Sequence, residues 1–202
     1  MSLKSLRYIL WGLVAIAGGA LGGYFYITTV QQPSSQKIAG TTQIGGPFEL
    51  VDHNGGAITE AALKGAPSVI FFGFTHCPEI CPTTLSDISS WLEETGPIGK
   101  DINGYFVTVD PERDSPDVMK DYVSAFSDRI TGITGTPENI AQILQNYRIF
   151  SNKVRLGNGE YTMDHTASVI LLDKNGEFVS TISYGEVPNV AVDKLKLLAK
   201  RG

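Results

Sequence analysis

The sequence lacks an excess of basic residues, because 16 lysines and arginines stand against 21 acidic residues and leave a net charge of -5. Nucleic-acid binding needs a basic face that neutralises phosphates, so this composition argues against nucleic acid as a partner. No internal repeat is evident either. With 202 residues, of which 42% are hydrophobic, the chain is predicted to form one folded domain with an N-terminal appendage.

Charged residues are also missing from residues 8–30. About 20 apolar helical residues match a bilayer core of about 30 Å, so we predict a transmembrane anchor there. A cleaved signal peptide is the alternative, but the apolar run is long for one and contains no clear Ala-x-Ala site. By the positive-inside rule, Lys4 and Arg7 keep residues 1–7 in the cytoplasm and place the rest of the chain across the membrane.

The segment ahead of this anchor is too short to hold an Arg-rich organelle transit peptide. We therefore expect a single-pass protein of the bacterial inner membrane whose globular domain lies in the periplasm. Residues 31–46 are polar, contain Gly, Ser and Pro and show no periodicity, so they are predicted to form a flexible linker. The folded domain is predicted to occupy residues 47–202.

Strand and helix patterns alternate from Pro47 onward. The predicted strands cover residues 48–51, 68–75, 105–110, 130–133, 167–173 and 177–184, and the predicted helices cover 82–95, 115–126, 137–147 and 189–200. The Asn175-Gly176 pair predicts a hairpin turn between the last two strands. A βαβ unit joined to a ββα unit indicates an α/β, thioredoxin-like fold, with a central mixed sheet flanked by helices.

The chain has only two cysteines, Cys77 and Cys81, which directly follow a predicted apolar strand and precede a predicted helix. The helix N–H groups and dipole are expected to favour the thiolate of Cys81, with Pro82 at the first helical position. A purely structural disulfide is disfavoured, because so short a loop removes little entropy from the unfolded chain. A redox dithiol stays open, although thioredoxin-like enzymes usually space their cysteines one residue closer.

A metal site needs a third ligand, and the best candidate is His165, just before the predicted strand at 167–173. A thioredoxin-like fold brings this loop against the start of the cysteine-bearing helix. The predicted metal ligands are therefore Cys77, Cys81 and His165, a set that suits Cu(I) and can also hold Cu(II). Zinc would ordinarily need a fourth ligand, for which the neighbouring candidates are His76, Asp110 and Asp164.

Other polar residues near these motifs have open roles. Asp110, Arg113 and Asp114 follow a predicted strand and are expected to form a salt-bridged turn, although functional loops of α/β proteins also lie there. Asp164 either orients the neighbouring histidine or points away from it. His76 either tunes the neighbouring cysteine or serves as a spare ligand.

Three blocks of the sequence resemble the SCO/SenC family of copper-binding cytochrome c oxidase assembly proteins. The blocks are FFGFTHCPEICPTTL at 71–85, VTVDPERDSP at 107–116 and YTMDHTASVILLD at 161–173. The resemblance runs from about Ile44 to the end of the chain. It implies a thioredoxin-like fold, with copper bound by Cys77, Cys81 and His165.

The resemblance also implies a copper metallochaperone. Such a protein takes copper from a donor chaperone and passes it to the binuclear copper centre of the copper-bearing oxidase subunit, by ligand exchange rather than catalysis. Because copper binding requires reduced thiols, a thioredoxin-like reductant is an expected partner. The alternative is a thiol-disulfide oxidoreductase that uses Cys77 and Cys81 to reduce the acceptor's cysteines. A sensor would use the same ligands, whereas a peroxidase is disfavoured because the P-x-x-x-T-x-x-C pattern is absent.

Overall fold

The computed structural model describes residues 44–157 and 159–201, together with five separate positions, residues 7, 16, 18, 19 and 21. The chain divides into two compact units, Met1–Thr42 and Gln43–Gly202. Most of the anchor predicted at 8–30, and of the linker predicted at 31–46, lies outside the described residues. Where the structure does describe the chain, no helix combines the length and apolarity needed to cross a membrane.

A mixed sheet of seven strands forms the centre of the second unit. Its strands are β1 (Glu49–Asp52), β2 (Ala57–Thr59), β3 (Ser68–Gly73), β4 (Asn103–Thr108), β5 (Ile130–Thr134), β8 (Val169–Leu172) and β9 (Phe178–Ile182). They lie in the order β2-β1-β5-β4-β3-β8-β9, with β3, β4 and β5 parallel and the other pairs antiparallel. A separate hairpin pairs β6 (Ser151–Arg155) with β7 (Tyr161–His165).

The α-helices of this unit are α1 (Ile80–Glu94), α2 (Pro116–Ser124), α3 (Pro137–Asn146) and α4 (Pro188–Ala199), and 3-10 turns cover Glu60–Leu63 and Gly96–Gly99. Two of the helices begin with the same local signal, a hydroxyl residue followed by proline. The Ser115 and Thr136 side chains each accept a backbone N–H of the first turn, which would otherwise lack a partner. The following prolines have no N–H to satisfy.

The centre of the sheet is apolar on both faces. Every residue of β3 is buried, as expected for a parallel strand covered by helices on both sides. The ring of Phe71 on β3 stacks on that of Phe106 on β4 at 5.9 Å between centroids. The strand that leads into the cysteine loop is therefore held firmly in the core.

The predicted βαβ and ββα order is confirmed, as β3-α1-β4-α2-β5 and β8-β9-α4. All the strands and helices predicted in this unit are present, and their ends differ from prediction by at most two residues. The sequence prediction missed β2, which is only three residues long, and the β6–β7 hairpin. The Gly-Asn-Gly run at 157–159 was a usable turn signal for this hairpin.

Gly73, the last residue of β3, lies where no side chain fits. A Cβ atom at this position would lie 2.7 Å from Sγ of Cys81 and 2.8 Å from Cε2 of Phe106, both of which are buried. We expect Gly73→Ala to lower the free energy of unfolding of the reduced protein by about 1–3 kcal/mol, because it overpacks the core. Chemical denaturation measures this change.

Gly157→Ala is the matched control, since none of the described residues comes within 4 Å of the position that a Cβ would take there. It is expected to change the free energy of unfolding by about 0.5 kcal/mol or less. Equal stability of the two variants would contradict the close packing of Gly73 against Cys81.

Candidate metal centre

The connection from β3 to α1 carries both cysteines. Cys77 lies half-buried in the loop, where its N–H donates to the carbonyl of Phe74 at 3.3 Å. Cys81 is fully buried on the first turn of α1. Because the helix begins at Ile80, Pro82 is its third residue and not the first, as the sequence suggested. A proline is still harmless there, since the first N–H groups of a helix have no partner within it.

His165 is the last residue of β7, rather than part of a loop before the next strand. Its Nε2 lies 3.5 Å from Sγ of Cys81, and its Nδ1 lies 3.0 Å from the carbonyl oxygen of Thr166. A carbonyl only accepts, so Nδ1–H donates to it and the lone pair of Nε2 faces the sulfur. The ring also packs edge-on against Phe71 and Phe74. The imidazole is thus oriented as a ligand would be.

The structure brings all three predicted ligands together. The sulfurs of Cys77 and Cys81 and a ring nitrogen of His165 lie within 4.8 Å of one another, and both thiols are free. An open cleft of about 420 Å³ adjoins them, with the cysteine loop on one side and residues 162–165 of β7 on the other. Two thiol sulfurs and one imidazole are soft and borderline donors, which suit Cu(I).

The residues considered as a fourth zinc ligand do not join this group. Nδ1 of His76 lies 3.9 Å from a carboxylate oxygen of Asp114, and Asp110 pairs with Arg113. Asp164 is exposed on the face of β7 opposite the histidine. Within the described residues the candidate site therefore offers three donors, fewer than a closed structural zinc site requires.

The two thiols differ strongly in acidity. A hydrogen bond from the Cys81 thiol is the largest cause that lowers the pKa of Cys77, to about 4, and backbone N–H groups of Cys81 and Glu79 lower it further. The N–H of Cys81 donates to Sγ of Cys77 at 3.3 Å. The same thiol-thiol hydrogen bond and burial raise the pKa of Cys81. The sequence prediction that the helix start favours the thiolate of Cys81 is wrong, because the thiol and the N–H of Cys81 both donate to Sγ of Cys77.

Asp114 ties the cysteine loop to the sheet. Its fully buried carboxylate accepts the N–H of Thr75 at 3.1 Å and the hydroxyl groups of Thr75 and Thr108, each at 2.6 Å. The predicted salt bridge within this turn forms between Asp110 and Arg113, whereas Asp114 is held chiefly by neutral donors. Sequence reasoning missed this role, although threonines near the ends of two neighbouring strands were a usable signal.

The acidity of Cys77 predicts the pH dependence of its reactivity. A thiol with a pKa of about 4 is a thiolate at neutral pH, so its alkylation by iodoacetamide persists into acid and falls only as the pH drops through that pKa. Mass spectrometry after brief labelling at about pH 6 should find Cys77 modified and Cys81 intact.

Replacement of Cys81 provides the matched comparison for this pKa. Cys81→Ala removes the thiol donor and should raise the midpoint of the alkylation profile, whereas Cys81→Ser keeps a hydroxyl donor and should raise it less. If alkylation of Cys77 in the chain without substitutions has its pH midpoint at the pKa of an ordinary thiol, the hydrogen-bonded thiolate is refuted.

Solved structures of other proteins resemble this unit closely. ScoI from Bradyrhizobium japonicum, solved with copper bound, is 46% identical, and the match covers 77% of this chain and 99% of that one with a TM-score of 0.71. Yeast Sco1 with copper bound is 36% identical, and the match covers 79% of this chain and 90% of that one with a TM-score of 0.72. The central sheet flanked by helices is therefore that of the thioredoxin-like Sco proteins.

Sequence comparison extends the likeness along the chain. Mitochondrial protein SCO2 of Saccharomyces cerevisiae is 33% identical over 196 residues, which are 91% of this chain but 64% of that protein. The chain thus spans somewhat less than two thirds of the length of this relative. The profile of the SCO1/SenC family matches residues 36–200. A match of this extent leaves one conclusion: the chain belongs to the SCO1/SenC family.

Proposed function

We propose that this protein binds copper in the assembly of cytochrome c oxidase and that its copper ligands are Cys77, Cys81 and His165. The convergence of the two sulfurs and the imidazole nitrogen within 4.8 Å carries this proposal. Two relatives with the same fold, ScoI and Sco1, have been solved with copper bound, which supports copper as the metal.

The protonation of the site suits copper capture. Cys77 is already a thiolate at neutral pH, and the Nε2 lone pair of His165 is directed at the sulfur of Cys81. Cys81 must lose its proton when the metal arrives, and its raised pKa makes this step the most sensitive to pH. Copper binding should therefore release a proton from Cys81. Cu(I) is the favoured ion, and Cu(II) can be held by the same donors.

The open cleft beside the ligands suits transfer rather than permanent storage. Its walls leave Cys77 half-exposed, so the ligands of a partner can approach the metal from this side. We infer a metallochaperone that accepts copper from a donor chaperone and passes it to the binuclear copper centre of the copper-bearing oxidase subunit. The transfer is ligand exchange and needs no enzymatic bond-making step.

The cellular setting follows from the predicted anchor. We infer a single-pass protein of the bacterial inner membrane, with residues 1–7 in the cytoplasm and the copper-binding unit in the periplasm. An alkaline phosphatase fusion after residue 202 should be active, since that enzyme folds only outside the cytoplasm, and an inactive fusion would refute this orientation. In the periplasm, a thioredoxin-like reductant must keep the two thiols reduced.

A second candidate function is thiol-disulfide exchange, and the unequal acidity of the two thiols favours it. The accessible Cys77 thiolate would attack an acceptor disulfide, forming a mixed disulfide and releasing one acceptor thiolate. Cys81 would then lose its proton and attack Cys77, which releases the second acceptor thiolate and leaves a Cys77–Cys81 disulfide. The acceptor gains two electrons and this chain loses two.

Copper titration of the reduced full-length chain distinguishes these functions. Cys77→Ser, Cys81→Ser and His165→Ala should each weaken Cu(I) binding by about tenfold or more in competition with a chromophoric chelator. His53→Ala is the matched control, because the His53 imidazole accepts the N–H of Gly132 on β5 and is not part of the ligand group, and it should bind copper normally.

The outcome for His165→Ala decides between the two functions. Weakened copper binding with normal reduction of a model disulfide supports the three-ligand copper site. Normal copper binding in this variant would overturn the proposed ligand set and favour the thiol-disulfide oxidoreductase, which needs no imidazole at that position.

A further inference from the structure

The third ligand lies on a hairpin that is separate from the main sheet. Alternate residues of a strand point to the same face, so Tyr161, Met163 and His165 of β7 share one side. His165 meets Cys81 at one end of this face, and half-buried Met163 packs against the core in the middle. What holds Tyr161 at the other end therefore helps to set where the imidazole lies.

Arg113, in the turn between β4 and α2, holds that end of β7. Its guanidinium carbon lies 3.8 Å from the centre of the Tyr161 ring, and Nη1 donates to the carbonyl of Tyr161 at 3.1 Å. Nε of Arg113 donates to the carboxylate of Asp110, which also accepts the Tyr161 hydroxyl at 3.0 Å. Arg113, Asp110 and Tyr161 thus form a closed set of contacts between the hairpin and the body of the domain.

The same guanidinium also reaches toward the metal centre. Its carbon lies 5.8 Å from the centre of the Phe74 ring, and that ring meets the imidazole of His165 edge to face at 5.8 Å and 89°. Phe74 is buried and directly precedes the cysteine loop. A continuous row of contacts therefore runs from Tyr161 through Arg113 and Phe74 to His165.

Lys153 is a second cation near Tyr161, but it is placed less favourably than Arg113 to hold the hairpin. Nζ of Lys153 lies 4.2 Å from the ring centre and 2.7 Å from Glu112, but those two side chains are 38% and 59% exposed. Solvent weakens such surface contacts. The side chains of Arg113 and Asp110 are only 23% and 2% exposed, so their contacts are screened less.

We propose that Arg113 is a positioning residue of the metal site, which holds β7 and the Phe74 ring so that His165 stays within reach of Cys81. This inference rests on the proposed copper function. Arg113 touches no metal ligand, and it acts on the imidazole through Tyr161 and Phe74. Its planar guanidinium can stack on a ring and donate two hydrogen bonds at once, which an ammonium group cannot reproduce.

Arg113→Met in the reduced full-length chain tests this role. We expect Cu(I) binding, measured by chelator competition, to weaken by about tenfold, the range typical of residues that orient a metal ligand. The thiolate-to-copper absorption of the Cu(II) form should shift toward that of His165→Ala. Arg113→Lys should restore binding only in part.

Lys194→Met is the matched control, since it breaks the ion pair between Lys194 on α4 and Glu186 in the segment before that helix, and the Lys194 side chain is 32% exposed. It should leave copper affinity and the absorption spectrum unchanged. If the thermal unfolding curve shows that Arg113→Met does not fold, Tyr161→Leu is used instead, because this substitution removes the same contact from the side of the hairpin. We expect the same weakening of Cu(I) binding and the same change in Cu(II) absorption.

The double variant separates positioning from a general loss of stability. If Arg113 acts through His165, Arg113→Met should weaken copper binding no further in a His165→Ala background. The positioning role would be overturned if the two substitutions weaken copper binding additively, or if Arg113→Met binds copper normally while His165→Ala binds it weakly. Neither outcome would overturn the proposed ligand set. Unchanged binding in His165→Ala would instead overturn the proposed ligand set.

Discussion

The buried carboxylate of Asp114 is the constraint on which the cysteine loop depends. A carboxylate without exposure to water is costly unless donors surround it, and here an N–H and two hydroxyl groups supply that compensation. Thr75 joins the cysteine loop to Asp114 in the turn after β4, and Thr108 joins Asp114 to the end of β4 itself. Cys77 and Cys81 therefore extend from a fixed junction of two buried parallel strands.

From this junction, the helix start produces the chemistry of the thiol pair. The N–H of Cys81 points at the sulfur of Cys77, and the buried Cys81 thiol donates to the same atom. One sulfur becomes an accessible anion and the other a buried acid. This arrangement serves metal capture and thiol exchange equally well, so the imidazole of His165 separates the two functions.

That imidazole comes from a different part of the chain. Among the described residues, strands β6 and β7 pair with each other and with no other strand, and contacts of the hairpin's side chains with the core and the β4–α2 turn position it. The proposed copper site thus combines a cysteine pair fixed in the core with an imidazole held by a separate hairpin.

Local patterns were sufficient to predict much of this protein. The apolar run of β3 and the Asn175-Gly176 turn each depend on neighbouring residues, so they predicted their elements correctly. The resemblance of three sequence blocks supplied the family and the candidate ligands. The β6–β7 hairpin was missed because its polar strand β6 carries no clear apolar alternation.

Only the tertiary structure decided which thiol is the anion, what surrounds Asp114 and how His165 is held. Each depends on groups that are far apart in the sequence and meet within a few ångströms, such as Thr75 with Asp114 or Cys81 with His165. Hydrogen bonds and pKa values respond to those distances and directions. The sequence by itself determined the kinds of donor that are present, and the fold determined which of them face one another.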